Sequence, residues 1–178
     1  MIDQSIMIRQ TGPDDLAQTM ALWNDGDVMK FVGFPDGLGY TMRQMERWLK
    51  WIETGRPMRN HYSIYEETLG YCGETFYSID AEHGNAGAMD IKLFRKARDR
   101  GIAKAALAYA IGQAFQNGAC CVWVDPNPEN EKALRLYRGL GFVERVTPGY
   151  LLEDTAHTGC DSVYMEIGPD DWNKSKRN

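Results

Sequence analysis

Apolar and polar positions alternate along this chain in strand-like and helix-like stretches. Ile6-Met7-Ile8-Arg9-Gln10 reads as a first strand. Thr11-Gly12-Pro13-Asp14 has the form of a helix start, a threonine followed three residues later by an acid, and Leu16, Met20 and Trp23 would share one face of that helix. The pattern fails at Asn24-Asp25-Gly26-Asp27, and the glycines and proline of 28–40 predict an irregular loop. Thr41 and Gln44 form a capping box, behind which Met45, Trp48, Leu49 and Ile52 repeat at helical spacing. Segments 62–66 and 71–79 flank the turn Glu67-Thr68-Leu69-Gly70 as a hairpin, and 88–94 follows as a third strand. Ile102–Gln116 lacks proline and predicts a helix that Asn117-Gly118 ends. Residues 119–124 form an apolar strand, and Ala133, Leu134, Tyr137 and Leu140 an apolar helix face. Short strands are expected over 143–147 and 161–167, with a loop over 148–159 and a frayed polar tail over 168–178. Helices between strands, after an antiparallel beginning, predict a mixed α/β sheet.

The junction between the strand 88–94 and the helix after it carries chemistry. Arg98-Asp99-Arg100-Gly101-Ile102-Ala103-Lys104 is a basic turn with a glycine at the helix start. The free N–H groups of a helix N-terminus point at an anion, and Gly101 keeps the main chain approachable. Arg98, Arg100 and Lys104 add positive charge, and Ala103 stays small. On its own, such a turn also serves as the ordinary basic cap of a buried helix.

Its sequel narrows the reading. Arg98-x-x-Gly101-x-Ala103, a helix, a strand, then Asn130-x-x-Ala133-x-x-x-Tyr137-x-x-x-Gly141-Phe142 resembles the GNAT superfamily of acyl-CoA-dependent N-acyltransferases. Asp99 and Ala103 stand where many members carry glycine, so the Asp99 side chain is expected to point away from the pyrophosphate. The resemblance implies a mixed, mostly antiparallel sheet flanked by helices on both faces. It implies acetyl-CoA as cosubstrate, held by Arg98, Arg100, Gly101, Ile102, Ala103 and Lys104, by the Leu93 backbone, and by Asn130 on the pantetheine arm. Tyr137 becomes the general acid for the departing thiolate. Asp125 becomes the acceptor of the amine proton, with Glu74 and Asp90 as alternatives. Trp23, Phe31, Phe34 and Tyr40 become candidates for the acceptor wall. Read without the resemblance, Tyr137 is a core tyrosine, and Asp125-Pro126 breaks a strand. Asn130 is then a helix cap, although Asn127 could cap instead.

Composition bounds the rest. At 178 residues, one domain over 1–168 with a polar tail over 169–178 is expected. The mean hydropathy of -0.48, without a long apolar run, predicts no membrane span, and no leader pattern is visible. A net charge of -5 disfavours nucleic acid and favours cationic partners. Cys72, Cys120, Cys121 and Cys160 form no CxxC pair, and with His61, His83 and His157 they show no metal-ligand spacing. No metal and a reducing cytoplasm are therefore expected. Cys120 and Cys121 should point to opposite faces of a strand, as core residues.

Glu153, Asp154 and Asp161, near the last strand, would join Asp125 in drawing a cation to the acceptor side. The expectation is an N-acetyltransferase acting on a cationic amine by direct attack in a ternary complex, as a monomer or homodimer. The acceptor would be a polyamine, an aminoglycoside or the N-terminus of a basic protein. The alternative is a non-catalytic CoA-binding or sensory domain of the same fold. A nucleotide module ranks last, since no Walker or G-x-G-x-x-G pattern is present.

Overall fold

The computed structural model describes residues 6–155, the side chains of 153–155 excepted, and 162–175. Its seven strands form one sheet: β1 (Ile6–Gln10), β2 (Arg59–Glu66), β3 (Gly70–Asp80), β4 (Ala86–Leu93), β5 (Cys121–Val124), β6 (Val143–Glu144) and β7 (Met165–Ile167). Their order is β1-β2-β3-β4-β5-β7-β6, and only the β4–β5 pair is parallel. The helices are α1 (Leu16–Trp23), α2 (Gly26–Met29), α3 (Met42–Thr54), α4 (Ile102–Gln116), α5 (Glu131–Leu140), α6 (Gly149–Thr155) and α7 (Pro169–Ser175).

Alternation in the strands decides which face each helix covers. Tyr62, Tyr77, Met89, Val122 and Val124 point to one face, where they bury Leu107, Ala110, Ile111 and Ala114 of α4 and Leu134 and Leu140 of α5. Leu16, Leu22, Trp23, Met45 and Leu49 of α1 and α3 pack with Tyr71 on the opposite face. The intervening strand positions therefore look into protein rather than water. Glu74 and Thr75, on neighbouring positions of β3, are both buried.

The parallel pair is brief. β4 and β5 meet only at Ala86↔Cys121, Gly87↔Val122 and Ala88↔Trp123. Beyond that point β4 runs on to Leu93 while β5 ends at Val124, so the strands part within the sheet. Phe94 N–H still bonds the Cys72 carbonyl on β3. By alternation, the backbone groups of Met89, Ile91 and Leu93 face the side that β5 has left.

Several expectations give way. Asp15, not Asp14, closes the first turn by accepting from Gly12 N–H at 2.9 Å, and Thr11 turns inward to His61 and Ser63. The loop expected over 28–40 begins inside a short helix, α2, whose cap is Asp25. The loop over 148–159 contains α6. The frayed tail contains α7, which buries Trp172 at 4% exposure in the main core. Cys120 precedes β5 instead of lying on it, so the alternation rule fails there. Its sulfur lies 3.8 Å from that of Cys121; Cys120 is exposed and Cys121 half-buried. Asp161, Cys160 and His157 lie outside the described residues, as do the side chains of Glu153 and Asp154.

Trp172 ties the last helix to the core, so its removal should be felt by the whole fold. Trp172→Ala is expected to cost about 3 kcal/mol, read as a lower urea midpoint with an unchanged slope.

Candidate active site

The parting of β4 and β5 opens a cavity of about 350 Å³ through the sheet. Asp90 and Lys92 line it from β4, Asp125 and Pro126 from the end of β5, and Asn130 and Tyr137 from α5. Val28, Phe31 and Val32 close it from α2 and the turn after it. Tyr137 belongs to the α4–α5 side, whereas Asp90 and Lys92 belong to the α1–α3 side. The cavity thus joins the two faces of the sheet.

Tyr137 reaches it from the apolar face of α5, with its ring edge-on to Phe142 at 5.6 Å. Burial raises its phenol well above the ordinary value, helped by the negative charges of Asp90 and Asp125. It stays protonated at neutral pH and can only give a proton away. Asp125 lines the cavity at the end of β5. The surrounding protein, and then Asp90, push its carboxyl up to about 6. That value puts a proton acceptor close to neutrality.

Lys92 and Glu74 were not in the expected site, although Glu74 was an alternative base. Glu74 is buried and accepts from Trp23 Nε1 at 2.7 Å and from His61 Nε2, and Lys92 Nζ lies 3.4 Å away. A carboxylate only accepts, so His61 carries its proton on Nε2, and Thr11 donates to Nδ1 at 2.7 Å. Burial lowers the His61 pKa despite Glu74, which keeps the ring neutral. Lys92 also pairs with Asp90. Burial alone would lower the Lys92 pKa, but Asp90 and Glu74 outweigh it and raise it. Glu74 is therefore committed to structure, and Asp90 is held by Lys92 and by Ile91 N–H at 2.7 Å. Asp125 has no such ion pair among the described residues; its carboxyl meets its own backbone N–H and feels Lys92 only through space. The readable signal for Lys92 was a cation flanking Asp90 on a strand covered on both sides.

The basic turn leads directly into α4. Gly101 takes φ +77°, a left-handed value open chiefly to glycine, and no side chain caps the helix. An added Cβ would meet nothing within 4 Å, so backbone conformation is what this position requires of glycine here. Arg100 and Lys104 are exposed, without an ion pair among the described residues. Asp99 turns to Lys132 at 2.7 Å. The Arg98 guanidinium turns to Asp27 and to the Leu93 carbonyl. Asn130 is itself the α5 cap, accepting from Ala133 N–H at 3.2 Å, while Asn127 binds Glu129 N–H; the capping alternative assigned to Asn127 does not hold. Asn130 lines the cavity all the same.

Among the expected wall residues, Phe31 lines the cavity, Trp23 is buried on Glu74, Tyr40 packs on Trp23 at 5.5 Å, and Phe34 is exposed.

A sequence model of the acetyltransferase (GNAT) domain matches residues 5–143. The chain belongs to the GNAT acetyltransferase family. It is an acyltransferase, and members of this family take their acetyl group from acetyl-CoA. No curated protein matches the chain significantly. Among solved structures, spermidine N-acetyltransferase from Vibrio cholerae with CoA and spermine is 16% identical, with a TM-score of 0.77 over 96% of this chain and 99% of its own. Ribosomal-protein-alanine N-acetyltransferase from Brucella melitensis is 19% identical, with a TM-score of 0.72 over 91% and 99%. These likenesses establish the GNAT fold. No helix among the described residues is long and apolar enough to cross a membrane.

The like charge of Asp90 helps hold the Asp125 proton in this GNAT chain. Asp125 should titrate near 6 by carboxyl-carbon NMR, and Asp90→Asn should move it down, while burial keeps it above the ordinary carboxyl value.

Proposed function

We propose that this chain moves an acetyl group from acetyl-CoA to a primary, positively charged amine by direct attack, with both substrates bound at once. The observation that carries the reading is the cavity through the sheet, with Tyr137 reaching it from one face and Asp125 at its edge. The thioester supplies an activated acetyl group. The uncapped N-terminus of α4, from Gly101 through Ile102, Ala103 and Lys104, suits the pyrophosphate, with Arg100 adding charge. Arg98 shapes the same turn. The Leu93 backbone and Asn130 would hold the pantetheine arm. Leu93 C=O already accepts from Arg98, but a carbonyl has a second lone pair.

Direct attack fits the residues present. Among the described residues no cysteine and no serine–histidine pair lines the cavity, and His61 is committed to Thr11 and Glu74. Asp125 takes the proton from the arriving ammonium, so that the nitrogen lone pair is free to form the new bond to the acetyl carbon. Tyr137 gives its proton to the sulfur as the thioester bond breaks, and the second proton on the acylated nitrogen passes to the Tyr137 oxygen as the neutral amide forms. Asp125 must be ionised to work and Tyr137 neutral, which requires a pH above about 6. The alternative, a non-catalytic CoA-binding domain, has no use for this acid–base pair.

The acceptor's charge follows from the cavity. Asp90 and Asp125 line it against the single cation Lys92 among the described lining residues, and Lys92 is also paired with Glu74 behind it. The excess is negative and favours a cation. Spermidine, named for the Vibrio cholerae protein, is such an amine; a peptide N-terminus is the smaller-charge case.

Tyr137→Phe keeps the ring packing and removes the proton. Its kcat should fall roughly a hundredfold, and an unchanged kcat returns Tyr137 to a packing role. Across an amine panel, kcat/KM should favour cations, with an advantage that shrinks as salt rises. Equal rates for neutral amines would defeat the charge argument.

A further inference from the structure

The guanidinium of Arg98 leaves the basic turn and crosses to the acceptor side. Nη1 donates to Asp27 Oδ2 at 2.8 Å, Nη2 to the Asp27 carbonyl at 3.4 Å, and Nε to the Leu93 carbonyl at 3.1 Å. One planar fork thus joins the end of β4 to α2. Asp27 is not a loose surface carboxylate. Its own N–H is held by Asp25 Oδ1 at 2.8 Å, and its second oxygen takes Lys30 Nζ at 3.2 Å. Lys30, then Arg98, hold its carboxyl below the ordinary range. Val28 follows Asp27 directly, and Phe31 and Val32 lie one turn on; all three line the cavity.

We propose that Asp27 and Arg98 are positioning residues: a clamp by which the cofactor turn sets the place of the acceptor wall formed by Val28, Phe31 and Val32. The proposal rests on the N-acetyltransferase reading. It gives the Arg98 side chain to acceptor placement and leaves anion binding to the α4 N-terminus, Arg100 and Lys104. Arg98 suits this task because a rigid fork can hold two acceptors on one segment and a third on another, which a lysine cannot do. The pair is half-exposed, with side chains 29% and 39% accessible, so it can break and re-form. A wall held by such a contact should close well only while the contact stands.

The test compares Asp27→Asn, Arg98→Gln, the double variant and Arg98→Lys, using wild-type protein as reference. Calorimetry measures CoA binding, and steady-state kinetics separate KM from kcat for the preferred amine. Each single variant should raise the amine KM about tenfold, with CoA affinity within about twofold and kcat within about threefold. The double variant should be no worse than either single one, because both remove one contact. Arg98→Lys should recover only part of the loss. Amide exchange over 26–34 should speed up in the single variants, a readout that needs no turnover. Arg98→Gln weakening CoA about tenfold, while Asp27→Asn leaves KM alone, would make Arg98 a phosphate ligand and overturn the clamp. Unchanged KM and exchange in both variants would also overturn it. If wild-type protein fails to bind CoA, it is the N-acetyltransferase reading that falls.

Discussion

A strand edge inside a protein must hydrogen-bond to something, because a bare buried amide or carbonyl costs as much as a lost bond. β4 faces that demand once β5 turns away after Trp123. Two of the backbone groups on that edge are met from within the chain. Ile91 N–H is taken by the carboxylate of its neighbour Asp90, and Leu93 C=O by Arg98 Nε. Of the side chains that satisfy the edge, Asp90 also lines the cavity, and Arg98 reaches from the edge to Asp27 of α2. Asp90 is fixed beside Asp125, and Arg98 is fixed toward α2.

Charge follows from the same geometry. Lys92 stands between Asp90 and Glu74, and Glu74 is further held by Trp23 and His61. A buried cation with two anions is tolerable where each partner is bonded, and removing the buried Glu74 would leave Lys92 short of a partner at a cost of several kcal/mol. Asp125, outside this network, keeps a carboxyl that can exchange its proton with a substrate. The division between bonded and exchangeable acids separates structure from chemistry.

Much of the fold was legible. α4 falls over Ile102–Gln116 as its composition indicates, and the Thr41–Gln44 box starts α3. Long elements declare themselves because their periodicity repeats. α2, α6 and α7 are too short to repeat, and Trp172 is a single apolar side chain in a polar stretch, so its anchoring could not be read locally. Thr11 looked like a cap because its partners, His61 and Ser63, lie far along the chain. In the site, Tyr137, Asp125 and Asn130 do line one cavity. Lys92 escaped notice since alternating charges on a strand normally mark a wet face, whereas α1 and α3 cover this one. The turn toward Asp27 hid in Arg98 for the same reason: a sequence names the guanidinium but not its destination.

Because the cavity opens on both faces of the sheet, its two halves can drift apart in evolution. Substitutions in the α1–α3 layer alter what enters from one side without disturbing the helix start that serves the other. A lineage could change its acceptor by rewriting Val28, Phe31 or Val32 while leaving 98–104 intact. Such freedom is curtailed at Asp27, whose carboxylate answers to both halves. Drift around it would have to be paired with change at Arg98, a correlation that marks where two otherwise independent modules were joined.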